Sequence, residues 1–324
     1  MKRKLLHASV PVLAFGLAAS AVDLPVFSVG PGPVREVLPR IDVKGHRTYE
    51  PQGTLLLTTV SVRPLTVFDA VAAWLDPGRD VLREREVLGR GESVREYRRQ
   101  SLSQMDESKI AAVAFALSET TDYPDDHGRG VLIQDVFAGL PAEGRLFPGE
   151  TIVSIDGRPV REIEDVGRAV DRAGTTGTLR FTVEAGGRRA SVSLRPQRPP
   201  GQTRPLIGVV LVESFPFEVT IRSGDDGGPS AGLMWALGVL DLLTPGSLTS
   251  GRTIAGTGEI DPLGNVFSIG SVAHKVRAAE RRGADAFLLP RANLVEARAG
   301  GAKVPLVPVD TVQDALRYLE RGGT

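Results

Sequence analysis

The segment Gly227-Gly228-Pro229-Ser230-Ala231-Gly232 constrains this chain more than any other. Its glycines and proline force a sharp turn. The residues behind it, Leu233-Met234-Trp235-Ala236-Leu237-Gly238-Val239-Leu240, are apolar around nearly the whole circumference of a helix, and Asp241 is the only charge before Leu243. Such a helix has no polar face to turn to water and must be buried. It is also too short to cross a bilayer. Ser230 stands where this helix begins, beside backbone N–H groups that a first helical turn leaves without intrahelical partners. Those groups suit a developing oxyanion or a bound anion. From the turn alone, a nucleophilic serine and a phosphate-binding loop are both open readings.

A base for the serine is sought further along. Residues 271–282 carry a helical pattern stopped by Gly283. On a wheel of 100° per residue, Val272, Val276 and Ala279 form one stripe, and His274, Arg277 and Arg281 form the opposite face. Lys275 falls within about 60° of Val272. It either snorkels at the edge of the core or lies inside it, where burial lowers its pKa and makes the neutral amine a base near pH 7. Serine with lysine is a known variant of the serine nucleophile arrangement. His274, on the basic face, is expected to be solvated.

Composition narrows the chemistry. The 324 residues leave room for two domains with short appendages. Thirty-nine basic and 39 acidic side chains cancel, which argues against nucleic acid as a partner. Cysteine is absent, and with it disulfides, thiolate catalysis and cysteine metal sites. Four histidines, at 7, 46, 127 and 274, show no ligand spacing, so neither a metal nor a cofactor is expected. No G-x-x-x-x-G-K-[ST] occurs in the sequence.

Along the chain, Lys2-Arg3-Lys4 precedes an apolar run over 5–22. By the positive-inside rule this places the remainder outside the cytoplasmic membrane. Ala19-Ser20-Ala21 has the composition of a signal-peptide cleavage site, while the run is close in length to a short spanning helix. Gly30-Pro31-Gly32-Pro33 is expected to break regular structure. A strand is predicted over 54–62, a helix over 66–75 stopped by Pro77-Gly78, a solvated charged face over 79–100 and a helix over 104–117. From 128 the pattern changes to short strands. These include an Asp156-Gly157 turn, a helix over 163–172 and alternation at Leu179, Phe181, Val183 and Ala190, Val192, Leu194. A proline-rich linker, 196–201, ends this unit. Beyond it, strands are predicted over 206–212, 218–221, 252–258, 266–269 and 304–309. A last helix, 311–320, opens with Thr311 and Asp314 in capping-box spacing.

Two resemblances follow from these residues. The run "PGE-x-I-x-x-I-DG-x-PV" at 148–160, with Gly128-Arg129-Gly130-Val131 in the place of a carboxylate-binding loop, makes 126–197 resemble a PDZ domain of the bacterial protease-associated kind. There, successive loop N–H groups would hold a peptide C-terminus while a sheet edge accepts the peptide as an added strand. A small β-rich domain in which Gly128 and Gly130 merely turn the chain is the alternative. "GGPSAGL" at 227–233, together with "TGEIDPLGNVFSIGSVAHKVRAAERRGADAFLLP" at 257–290, closely resembles the proteolytic domain of Lon-type peptidases. The order of segments is similar to that of the membrane-associated PDZ–Lon proteins of Gram-positive bacteria.

The resemblance implies an α+β fold: an anchor retained over 1–25 as a single-pass transmembrane helix, a segment at 40–125 packing with the proteolytic domain, the PDZ domain, and a Lon-type domain at 205–324. It implies Ser230 as nucleophile, Lys275 as general base and Thr257 as the hydroxyl that orients the lysine, with the turn at Gly228, Pro229 and Ala231 forming the oxyanion hole. The expected activity is an ATP-independent serine endopeptidase outside the cytoplasmic membrane, acting on unfolded or tail-presented proteins without a cofactor. A catalytically silent PDZ adaptor is the alternative. The expected partners are protein substrates, peptide C-termini, the membrane and further copies of the chain in a ring, a hexamer being one form. Many Lon domains carry an aspartate three residues before the serine, where this chain has Gly227, so no role passes to Asp226.

Overall fold

In the computed structural model, which describes residues 23–76 and 78–322, three consecutive leucines explain the main sheet. Leu55, Leu56 and Leu57 are all buried. Side chains alternate along a strand, so burial of all three requires cover on both faces.

The first part of the chain supplies β1 (Asp23–Glu36), β2 (Ile41–Lys44), β3 (Thr54–Thr66), α1 (Val67–Leu75), β4 (Asp80–Arg83) and the long α2 (Val94–Thr120). The middle supplies β5 (Val131–Val136), β6 (Thr151–Ile155), β7 (Arg158–Pro159), α3 (Ile163–Ala173), β8 (Leu179–Ala185), β9 (Arg188–Leu194) and β10 (Val209–Glu213). The last part supplies β11 (Glu218–Ile221), α4 (Gly232–Leu243), β12 (Thr253–Gly256), β13 (Glu259–Ile260), β14 (Val266–Phe267), α5 (Val272–Arg281), β15 (Ala286–Pro290), α6 (Leu294–Ala299), β16 (Leu306–Val309) and α7 (Val312–Glu320).

The main sheet has the order β16-β15-β12-β3-β1-β4. Strand β12 runs parallel to β3 and β15, and β1 runs antiparallel to β3 and β4. The two ends of the chain thus build one sheet. Leu55, Leu57, Ile254 and Leu288 face a layer made by α2, α4 and α7. Leu56, Ala255, Phe287 and Leu289 face α5 and α6. Helix α4 lies among the sheet, α2 and α7 and is buried on every side, as its apolar circumference requires. Asp241 within it accepts the N–H of Leu248 at 2.8 Å, and burial pushes its carboxyl up to about 6. The capping box at Thr311 and Asp314 is present.

A second sheet, β10-β5-β6-β8-β9 with β7 beside β6, packs α3 over a core of its own that includes Ile133, Phe181 and Val183. It meets the main unit where Ile110 of α2 packs with Leu132 and Val212. There Glu107 of α2 faces Asp135 of β5, and burial, reinforced by that carboxylate, pushes Glu107 up to about 7.

The structure departs from the sequence reading in several places. Residues 30–33 do not break regular structure but lie inside β1. Beyond Val29 that strand has lost β4 and keeps only β3, with a register shift between Pro31 and Val34. Proline is tolerated at such an edge and bulge. Strand β10, expected to open the C-terminal domain, pairs with β5 of the second sheet instead. The charged stretch 79–100 is mostly exposed, as expected, and part of it is ordered as β4 and the start of α2. Finally, the expected anchor over 1–25 lies outside the described residues except for its last three, which are strand. Among the described residues no helix is long and apolar enough to cross a membrane.

Candidate active site

Where α4 begins, its first N–H groups need acceptors, and no side chain caps it. The chain solves this by running residues 257 and 258 alongside. Leu233 donates to the carbonyl of Gly258 at 3.0 Å, and Gly258 donates back to the carbonyl of Ser230 at 2.8 Å. This exchange fixes Ser230 beside Thr257. The turn is held from the other side by α2: Gly228 donates its N–H to the Ser101 carbonyl at 2.7 Å, and Ser108 Oγ donates to the Pro229 carbonyl at 2.8 Å.

Lys275 is brought in by α5, whose apolar stripe packs on the opposite face of the sheet. Its side chain is buried, 3% exposed. Nζ lies 2.5 Å from Ser230 Oγ and 2.9 Å from Thr257 Oγ1. Thr257 Oγ1 in turn lies 2.9 Å from the Ser230 carbonyl oxygen. A hydroxyl has one proton, and a carbonyl can only accept, so the Thr257 proton goes to Ser230 O. Thr257 Oγ1 must then accept from Nζ. In the neutral amine this leaves the lysine lone pair for the Ser230 hydroxyl proton. Burial alone lowers Lys275 to about 7 from its ordinary 10.5, so the neutral form is available near neutral pH.

The pair opens on a cleft of about 510 Å³ with Val29, Leu82, Met105 and Ile269 among its walls. Ser271, at the start of α5 on the cleft wall, is held left-handed at φ 59°, a costly conformation for a serine. Nothing in the sequence pattern marks it. Of the turn residues expected to form an oxyanion hole, Gly228 has its N–H committed to Ser101, and Pro229 has none to give. Ala231 and Ser230 itself retain N–H groups at the helix start.

The structure explains the missing aspartate. A Cβ at Gly227 would lie 2.9 Å from Ser101 Cβ and 3.2 Å from that residue's carbonyl group. Asp226 instead pairs with Arg35 at 3.2 Å.

His274 corrects the sequence reading. It is buried, not solvated, and its Nε2 lies 2.9 Å from Asp80 Oδ2. The wheel placed it opposite the apolar stripe, but β4, which the sequence pattern did not show, supplies the Asp80 that holds it there. None of the histidines at 46, 127 and 274 lines the cleft.

The expected peptide-binding loop is also displaced. Gly128 donates to the Ser214 carbonyl at 2.7 Å, Arg129 is exposed, Gly130 is packed against Ile152, and Val131 pairs with both Glu213 and Ile152. Strand β5 therefore has both edges filled and accepts no further strand. The terminal strands of this sheet are β10 and β9, and of the two edges that of β10 lies beside α3. Between β10 and α3 runs a groove of about 250 Å³ lined by Phe137, Ile163, Val166, Val170, Leu206 and Leu211. The sequence signal for it was Leu206-Ile207-Gly208-Val209, masked by the linker before it.

Comparison with known proteins finds similarity over parts of the chain. The chain is 38% identical over 93 residues to the Lon protease of Chloroflexus aurantiacus, covering 28% of this chain and 11% of that protein. It is 36% identical over 113 residues to Lon protease 1 of Myxococcus xanthus, covering 33% and 14%. It thus spans little more than a tenth of the length of these relatives. Among solved structures, the PDZ domain of the SdrC-like protein from Listeria monocytogenes is similar at 21% identity, with a TM-score of 0.25, covering 26% of this chain and 90% of that domain. Residues 223–317, which carry Ser230, Thr257 and Lys275, match the family described as the Lon protease (S16) C-terminal proteolytic domain.

Proposed function

We propose that this protein is a serine endopeptidase working with a Ser230–Lys275 dyad, without ATP or a cofactor. The observation that carries the reading is the buried Lys275 amine 2.5 Å from Ser230 Oγ, with its direction set by Thr257. Neutral Lys275 takes the Oγ proton as Ser230 attacks a peptide carbonyl, and the protonated amine then gives that proton to the leaving amine. Water, deprotonated by the same lysine, hydrolyses the acyl-enzyme. The N–H of Ala231 at the start of α4 faces the developing oxyanion. The proposed substrates are unfolded proteins or exposed tails.

The test is hydrolysis of unfolded casein by the full chain and by Ser230→Ala across pH. Because the base must be neutral, kcat/KM rises with pH, about tenfold per unit below 7, and levels above it. Ser230→Ala is expected to be inactive at every pH. Equal cleavage by both proteins, or by neither, would overturn the reading.

The groove between β10 and α3 is the proposed peptide site of the PDZ-like unit, its open edge taking an extended peptide as an added strand. Leu211→Asp places a charge in that apolar groove and is expected to weaken binding of apolar C-terminal peptides at least tenfold by calorimetry. Arg129→Ala, at the loop outside the groove, leaves it unchanged. Residues 5–22 are proposed to anchor the chain in the cytoplasmic membrane with the catalytic body outside the cell, where copies assemble into a ring.

A further inference from the structure

Helix α1 turns large apolar side chains outward: among its described side chains Ala73 is buried, while Val67, Val71 and Leu75 are 41%, 58% and 69% exposed. Spaced four apart, these three lie on one face. A surface helix ordinarily buries its large apolar side chains and shows water its small or polar ones. Nor is the helix poorly made. Thr66 caps it, Asp69 closes the capping box, and that aspartate is its only charge. Val81 of the neighbouring β4, 40% exposed, adds to the apolar surface at this end of the sheet.

The position of the chain's entry says what covers this face. In the antiparallel register of β1 and β3, Asp23 pairs with Thr66. The residue that follows the apolar run 5–22 therefore lies beside the N-cap of α1. The described apolar side chains here, Val67, Val71, Leu75 and Val81, cover far less than the roughly 800 Å² per partner of a stable protein interface, so a second copy is the poorer occupant.

We infer that α1 is a membrane seat: its Val67, Val71 and Leu75 face lies at the acyl–headgroup boundary of the bilayer that holds residues 5–22. An apolar helix face of this kind is what a helix lying in the interface plane presents. The inference rests on the anchor proposed above and adds an orientation to it. Val29, on the cleft wall, is six positions along β1 from Asp23, at most about 20 Å at the rise of a strand. The seat keeps the cleft within about that distance of the bilayer, so the substrates are polypeptide segments near the membrane surface.

The chain has no cysteine, so a single introduced thiol reports cleanly. Full-length Val71→Cys, and Val295→Cys on α6 (79% exposed) as reference, are each labelled with an environment-sensitive fluorophore. Both are reconstituted in phosphatidylethanolamine–phosphatidylglycerol vesicles. The label at 71 is expected to be quenched several-fold more by nitroxide lipids than the label at 295, and to be shielded from iodide. Equal iodide quenching of the two labels in floated protein overturns the seat and leaves the anchor standing. Shielding from iodide without lipid quenching assigns the face to a second copy and also overturns it. Protein that fails to float with the vesicles overturns both the seat and the anchor.

Discussion

Replacing Lys275 by methionine is expected to lower kcat/KM for peptide hydrolysis about 10²- to 10⁴-fold, the range a positioned general base contributes, while raising the melting temperature. Both effects have one cause. The amine is buried with two hydroxyls as its neighbours, and burial lowers it to about 7 from 10.5. Between those values the unfolded chain binds more protons than the folded one, so stability rises with pH across that window and is least at and below about pH 7. Methionine fills a similar volume without a charge to desolvate. Thr257 keeps its bond to the Ser230 carbonyl, and Ser230, half-buried at the cleft, can find water. Calorimetric scans of the wild type and the variant at pH 6 and pH 9 check this: the variant's advantage should be larger at pH 6. A variant that is inactive and also less stable at both values would mean that Lys275 is a structural strut.

Restoring the aspartate that this chain lacks is expected to damage it. Gly227→Asp puts a Cβ 2.9 Å from Ser101 Cβ, closer than side-chain atoms approach. Either α2 moves away from the turn or the turn moves away from α2. Movement lengthens the Gly228–Ser101 and Ser108–Pro229 hydrogen bonds that set the height of Ser230. A shift of about 1 Å at a nucleophile costs on the order of 10²-fold in rate, and overpacking of this kind costs about 1–3 kcal/mol in stability. Chemical denaturation and casein hydrolysis on the same preparation measure the two. Gly227→Ala, with the same Cβ and no charge, is expected to show most of both effects. If alanine is tolerated and aspartate is not, charge and not space decides the position.

What the sequence made legible were features whose physics is local. The apolar circumference of residues 233–240 demanded burial, and α4 is buried on every side. The stripe at Val272, Val276 and Ala279 put Lys275 at the edge of a core, and it lies inside one. The features that escaped depend on partners distant in sequence. His274 is buried because Asp80, almost two hundred positions away, reaches it. Residues 30–33 are strand because an edge of β1 is left open there. Strand β10 crosses a proline-rich linker to rejoin the second sheet, which moved the open edge away from Gly128 and Gly130. Periodicity gives a strand its faces but not its neighbours.

The state of the Lys275 amine is the claim on which the catalytic account turns. The chain has six lysines, Lys2, Lys4, Lys44, Lys109, Lys275 and Lys303, few enough for every Cε resonance to be followed by carbon-detected nuclear magnetic resonance as pH is raised. One of the six is expected to titrate near pH 7, to disappear in Lys275→Met, and to have a midpoint that coincides with the rise in kcat/KM. All six titrating near the ordinary lysine value would contradict that claim.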